Sequence, residues 1–381
     1  MRGSTLDVLF VSKPLAPPWD DSGKVLPYLI AREIRDLSVA VMTPRGQPLN
    51  VPGVHSEELY REPWSFSVPM RDKVKVMFRL MARSLPPVVH FFFSPNGPTT
   101  FAARLVKRRH PYVKVVQTIM SLPIGADAMD QGIFGDVVIT WSRAAAERVS
   151  EVVRRRSIPA KILHVPPGID ERRPMTPAEK RATRASFGLP PDRPLVLYAG
   201  DLEFSTAAYA TAAAVPMVLE RLPAVFVFAC RSKTAAAQAV SRDLEARLAD
   251  PVARGHVRFM GSVPAFADLL RCVDCQVLPA ETTYAKTDLP MVLLEGLSAG
   301  IPAIVGTGTP MDELVQAGAV LGVPAGSPEA LAAALIGVLS GPGRAEAMAA
   351  GGRDFVLRRH TARGMADAHA AIYRDLVRGA L

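Results

Sequence analysis

Glu295 sits in the run Leu289-Pro-Met-Val-Leu-Leu-Glu-Gly-Leu-Ser298, a carboxylate among Val292, Leu293, Leu294 and Leu297. A charged group on an otherwise apolar helix needs a partner. An ionised carboxylate only accepts hydrogen bonds, so the paired hydroxyls of a ribose suit it, and a rim position open to water is the other reading. Just upstream, Asp288 reads as the helix N-cap and Pro290 as a first-turn residue, while Gly300 and Pro302 read as the stop. The free N–H groups in the first turn of such a helix, which starts at Asp288, Leu289 and Pro290, favour a phosphate. Arg231 and Lys233 follow the apolar run Val225–Ala229. At a strand end, two cations pair with a diphosphate or simply face water. Gly200, after the run Leu195–Ala199, lets the backbone approach a ligand closely.

Other residues invite weaker readings. His90 precedes Phe91-Phe-Phe-Ser-Pro-Asn96 at a strand end. His90 and Asn96 are candidates for contact with an acceptor, with a hydrogen-bonded core histidine as the alternative. Trp19, on the loop Pro17–Lys24, is placed to stack on a sugar or lipid, or to pack. Cys272-Val-Asp-Cys275 has metal-like spacing, but no second pair accompanies it, so no metal site is expected.

These residues lie on a regular alternation of elements. Leu6–Val11, a Pro/Gly loop, the helix-like Val25–Leu37 and Val39–Met42 make one βαβ unit. Val88–Phe93, Thr100–Arg109, Val113–Thr118, Asp136–Trp141 and Arg143–Val153 continue the rhythm. A Pro/Gly-dense break follows, from Val165-Pro-Pro-Gly-Ile-Asp170 to Pro194. The alternation then restarts and runs to Glu329–Leu339, before a terminal amphipathic helix, Thr361–Arg378. Strands alternating with helices imply parallel sheets covered on both faces, an α/β class.

Length and composition agree with two domains. At about 150 residues per domain, 381 residues favour two. The 49% hydrophobic and 21% charged content excludes a disordered, collagen-like or coiled-coil chain. Three cysteines exclude a disulfide scaffold. No apolar run approaches the ~20 residues of a spanning helix, and Leu6–Val11 is short for a signal peptide, so a cytoplasmic location is expected. The formal charge of +9 is uneven: residues 1–190 carry +11 and residues 191–381 carry −2. Within the basic half, Met70–Leu85 sets Arg71, Lys75, Arg79 and Arg83 at four-residue spacing, with Met70, Val74, Met77, Met81 and Leu85 on another face. Such a helix either lies on an anionic membrane, at the inner face of the plasma membrane, or packs on a sheet. Nucleic acid is not expected, because no recognised binding motif accompanies the charge.

From Leu195 to Leu339 the sequence resembles the donor domain of retaining glycosyltransferases of family 4. The matching pieces are Val165–Asp170, Tyr198-Ala-Gly200, Phe259-Met-Gly261, Val277-Leu-Pro279, Leu293-Leu-Glu295, Gly300-Ile-Pro302 and Pro310-Met-Asp-Glu313. The first half matches more loosely, through Phe10-Val-Ser, Val89-His90, Gln117-Thr118 and Asp136–Ser142. The resemblance implies a GT-B architecture: two Rossmann-like parallel-sheet domains facing a cleft, with a C-terminal helix crossing back to the first. The domains expected are 1–168 on the acceptor side, 169–358 for the donor, and 359–381 for the crossing helix. It further implies a nucleotide-sugar donor (UDP-, GDP- or another), no required cofactor or metal, and a glycan, lipid-linked or small-molecule acceptor. Glu295 matches the second of two family glutamates, and Thr287 stands in place of the first. The flanking Lys286 and Asp288 are the expected sugar contacts. Asp201 and Ser205 occupy the loop where the family has Arg and Lys, so Arg231 and Lys233 are expected to take over the diphosphate. The family's first-domain histidine is absent from Thr118-Ile-Met-Ser121. Gly23, Lys24 and Val263 complete the expected donor-binding set. Two alternatives are an epimerase or hydrolase of nucleotide-sugars, and a non-catalytic binding protein, on the same fold.

Overall fold

The computed structural model describes residues 6–64, 68–123, 126–232, 234–284 and 286–381. The chain divides into two compact units. One comprises Met1–Ile169, Tyr284–Asp288 and His360–Leu381; the other comprises Asp170–Thr283 and Leu289–Arg359.

The first unit is built on strands β1 (Val8–Val11), β2 (Val39–Pro44), β3 (Val54–Tyr60), β4 (Val88–Phe92), β5 (Lys114–Ile119), β6 (Val137–Thr140) and β7 (Lys161–His164). They form a parallel sheet in the order β3-β2-β1-β4-β5-β6-β7. Strands β1, β2 and β4 are buried throughout, as expected for a parallel sheet covered on both faces. Helices α1 (Ser22–Glu33), α2 (Met70–Leu80), α3 (Gly97–Arg109), α4 (Ala126–Gly132) and α5 (Arg143–Arg155) connect them. Asp21, Asn96 and Ser142 cap α1, α3 and α5 by accepting the N–H groups of Gly23, Thr99 and Ala145.

In the second unit, strands β8 (Leu195–Tyr198), β9 (Val225–Phe228), β10 (Val257–Phe259), β11 (Cys275–Leu278), β12 (Ala303–Thr307) and β13 (Leu321–Pro324) pair in parallel, in the order β10-β9-β8-β11-β12-β13. Its helices are α6 (Pro177–Ser186), α7 (Ala207–Leu219), α8 (Ala235–Arg247), α9 (Ala249–Ala253), α10 (Phe266–Cys272), α11 (Met291–Ser298), α12 (Asp312–Gln316), α13 (Pro328–Leu339) and α14 (Pro342–Arg359). The chain closes with α15 (Ala362–Arg378), which packs on α1 within the first unit. Thr361 caps α15, and Gly379 ends it in the left-handed region at φ +70.

The α/β class expected from the alternation is present in both units. Strand order reverses between β1 and β4 in one and between β8 and β11 in the other, and α/β sheets bind ligands outside the carboxyl ends at such points. Three strands escape the sequence pattern. β3 is rich in polar residues, β7 is partly exposed along its length, and β13 is the short Leu-Gly-Val-Pro. Helix α2 stops at Leu80, short of the Leu85 to which its apolar pattern runs. Met81 is the C-cap of α2, so Arg83 lies beyond the helix, and Pro86 keeps Leu85 out of helical geometry.

Candidate functional site

In the second unit, the strand-order reversal puts two loop segments side by side, 199–206 after β8 and 279–283 after β11. Tyr198 ends β8 with its ring fully buried, and its hydroxyl donates to the Asp201 carbonyl at 2.6 Å. Burial pushes that phenol well above its ordinary pKa, with Cys230 and Asp201 adding to the effect. A Cβ at position 200 would come within 2.3 Å of the Tyr198 hydroxyl. The tyrosine beneath it thus requires a glycine at position 200.

The loop's polar groups are turned inward. Asp201 Oδ1 accepts the N–H groups of Glu203, Phe204 and Ser205 at 3.0, 2.6 and 3.2 Å. From the neighbouring loop, Glu281 accepts the N–H and hydroxyl of Thr206 at 2.8 and 3.0 Å. Four successive amides in the loop that leads into α7, those of residues 203–206, are therefore held by two carboxylates of the chain itself, while no side chain caps the helix. Arg231 is half-buried beyond β9, and Lys233 lies outside the described residues.

Glu295 stands on α11, whose Met291, Leu293, Leu294 and Leu297 are buried. Gly296 lets α11 close on β11: a Cβ there would meet the Gln276 side chain at 2.2 Å, and Gln276 Nε2 donates to the Leu293 carbonyl at 3.1 Å. Arg172 Nη2 donates to Glu295 Oε1 at 3.2 Å. Burial raises the Glu295 carboxyl above its ordinary pKa, Arg172 opposes that shift, and Asp170 reinforces it. The Arg172 N–H also donates to Ser298 Oγ at 2.8 Å. Arg353 on α14 donates to the carbonyls of Arg172, at 2.9 Å, and Ser298, and pairs with Glu171. Arg172 Nε is buried with no hydrogen-bond partner among the described residues. The sequence reading missed Arg172, Arg353, and the part Asp201 and Glu281 play in the loop before α7. The only available signal was the position of Arg172, two residues after the Val165–Asp170 break.

The remaining candidates fall as follows. Leu289 and Pro290 are buried in the second unit, and Val263 packs on its core with Phe266 and Leu269. Pro290 takes the N-cap position of α11 and no side chain caps it, so Asp288 is not the cap. Asp288 is buried in the first unit, where it accepts the Ser142 hydroxyl at 2.6 Å and the Leu122 N–H at 3.3 Å. Lys286 is half-buried and Thr287 buried in the same unit. Lys24 is fully buried, its ammonium 3.1 Å from the Pro18 carbonyl and 3.5 Å from that of Pro63. Burial lowers its pKa, against the pull of Asp20 and Asp21. Gly23 donates its N–H to Asp21 Oδ1 at 2.8 Å. Trp19 is partly exposed and stacks on Tyr28, with ring centroids 4.3 Å apart. Asn96 caps α3 and donates to the Ser94 carbonyl at 2.8 Å.

His90 is a core residue. Its Nδ1 lies 2.6 Å from the Tyr373 hydroxyl and its Nε2 lies 2.7 Å from Thr118 Oγ1. The ring is fully buried, which holds its pKa well below the ordinary value, and His369 lowers it further. Both nitrogens are spent inside the fold, which corrects the acceptor-side reading. Cys272 and Cys275 are buried free thiols, and burial pushes Cys272 up to about 11.

Comparison with known proteins places this geometry. Residues 193–341 match the family model described as Glycosyl transferases group 1. A GDP-mannose-dependent monoacylated alpha-(1-6)-phosphatidylinositol monomannoside mannosyltransferase of Corynebacterium glutamicum is 30% identical over 201 residues. That match covers 51% of this chain and 51% of that protein, so the chain spans about half the length of the curated relative it matches. Among solved structures, a sucrose-phosphate synthase from Thermosynechococcus elongatus superposes with a TM-score of 0.79 at 18% identity, over 98% of this chain and 100% of that one. Anabaena HepE in complex with UDP-glucose superposes at 0.75 and 14% identity, over 97% and 100%. At these identities the structural likeness carries the fold.

Proposed function

We propose that this chain, a GT-B-fold protein whose residues 193–341 belong to the glycosyl transferases group 1, is a retaining, metal-independent glycosyltransferase. It moves a sugar from a nucleotide-sugar to a glycan, lipid-linked or small-molecule acceptor. The observation that carries the reading is Glu295, a carboxylate on a buried helix inside the family-matched segment. In this reading it accepts hydrogen bonds from the ribose of the donor. Arg231, with Lys233, neutralises the departing diphosphate, and the donor phosphate takes the acceptor's proton. The loop amides of residues 203–206 already donate to Asp201 and Glu281, so in this reading the loop leaves the diphosphate charge to the side-chain cations. GDP-mannose is the first donor to test, because the mannosyltransferase that names it is 30% identical, whereas HepE, solved with UDP-glucose, is 14% identical. A lipid-linked acceptor, the class that relative's name describes, is the favoured acceptor, with peripheral membrane contact through the first unit. No helix among the described residues is long and apolar enough to cross a membrane.

Titration calorimetry of the full chain against GDP-mannose, UDP-glucose and the free diphosphates tests the donor site. Glu295→Ala and Arg231→Ala are each expected to weaken nucleotide binding by about tenfold or more, the worth of a hydrogen bond to a charged group. Unchanged affinity in both variants overturns these assignments. Activity lost on adding EDTA and restored by a divalent cation overturns metal independence.

A further inference from the structure

Helix α2 carries an apolar row that the fold leaves uncovered. Met70, Val74 and Phe78 are 71%, 45% and 74% exposed, and their four-residue spacing aligns them along one side of the helix. They are not its core face: Leu80 is buried, and Val76 and Met81 pack on the core of the unit. Phe101 on α3, which packs against α2, is 65% exposed, and Tyr112, just beyond α3, is 55% exposed. Eight large apolar side chains are strongly exposed among the described residues, and these are five of them. A concentration of this kind, in one stretch of a water-facing surface, marks a contact site.

The cations of this stretch divide into two groups. Lys75 pairs with Asp72 at 3.2 Å, and Arg79 donates to both oxygens of Glu57 at 2.7 Å, so half of the four-residue basic series is spent inside the unit. Arg71 and Lys73, on α2, are exposed and form no ion pair among the described residues. The same is true of Arg108 and Arg109 at the end of α3. Free cations therefore flank an apolar row on a short helix, a pattern that matches the two layers of a bilayer surface: acidic headgroups outside, acyl chains beneath.

We propose that the α2–α3 face of the first unit docks on an anionic membrane, with Met70, Val74, Phe78 and Phe101 entering the acyl boundary and Arg71, Lys73, Arg108 and Arg109 meeting the headgroups. The apolar row supplies most of the affinity, and the cations select the lipid. The surface shares no residue with the proposed donor site, so either assignment can fail without the other.

Co-sedimentation of the full chain with vesicles of phosphatidylcholine, alone or mixed with phosphatidylglycerol, tests the proposal. The chain is expected to bind the mixed vesicles more tightly. Phe78→Ser with Val74→Ser should lower partitioning by about tenfold or more, as expected for withdrawing two apolar side chains. Arg71→Ala with Lys73→Ala should lower it less, and that loss should vanish in high salt. These side chains are exposed, so an unchanged melting temperature and unchanged nucleotide affinity serve as the folding control. No binding to either vesicle, or serine variants that bind like the parent, overturns the proposal. So does a parent chain that is dimeric by light scattering and becomes monomeric in the serine variants, because the row then joins two copies.

Discussion

At Glu295 burial and charge pull in opposite directions. Burial and Asp170 favour the protonated acid, and Arg172, 3.2 Å away, favours the carboxylate. Glu171 is already paired with Arg353 and leaves this balance to the other three. The ionised form offers both oxygens as acceptors, and charged ones, to the ribose hydroxyls, so nucleotide affinity should fall as pH drops through the raised pKa, at a higher pH than for an ordinary carboxylate. Removing the arginine charge raises that pKa further. Arg172→Ala should move the acid limb of the nucleotide-affinity profile to higher pH, and Arg172→Lys should restore much of it. Calorimetry across pH 4 to 8 checks this, and an unmoved limb in Arg172→Ala contradicts it. Gly296 provides a packing counterpart. Gly296→Ala puts a methyl against the Gln276 amide and should cost about 1–3 kcal/mol in denaturant unfolding of the second unit.

The loop before α7 shows how a segment can look open in sequence and be closed in the fold. A loop after a parallel strand offers its amides to an anion, and here those of residues 203–206 already donate to Asp201 and Glu281. Asp201→Ala leaves three amides without their acceptor and should destabilise the second unit by about 1–2 kcal/mol, read by urea unfolding followed by far-ultraviolet circular dichroism. The strands that carry the sheet cores were legible because they are continuous apolar runs, such as Val8–Val11 and Val225–Phe228. β3 was not, because its charged residues hide the strand pattern. Glu295 was legible as a charge out of place on an apolar helix. Arg172 was not, because its partner lies 123 residues away and nothing local marks it. Asp288 was misread for a similar reason: local spacing suggests a cap, but a serine 146 residues distant takes the carboxylate.

Across the whole molecule, acid should act first on the first unit. Burial holds His369 at about 4 and His90 well below its ordinary value, so the folded unit leaves both neutral. The unfolded chain protonates them below about 6.5, so their contribution to stability is intact above that pH and shrinks as pH falls. All three tryptophans, Trp19, Trp64 and Trp141, belong to this unit, so tryptophan fluorescence reports its unfolding alone. The denaturation midpoint should fall between pH 7.5 and 5, and His90→Gln with His369→Gln should flatten that dependence. A parent chain with no fall contradicts the assignment. The partition of the chain has a further consequence. Ile169 hands over to Asp170, Thr283 to Tyr284, Asp288 to Leu289 and Arg359 to His360, so neither unit is one continuous stretch. A gene cut near codon 170 would strand α15 and the Tyr284–Asp288 segment on the wrong fragment. Chimaeras that exchange the second unit for that of a relative would have to return both pieces to their own unit, and recombination at a single junction should give products that do not fold.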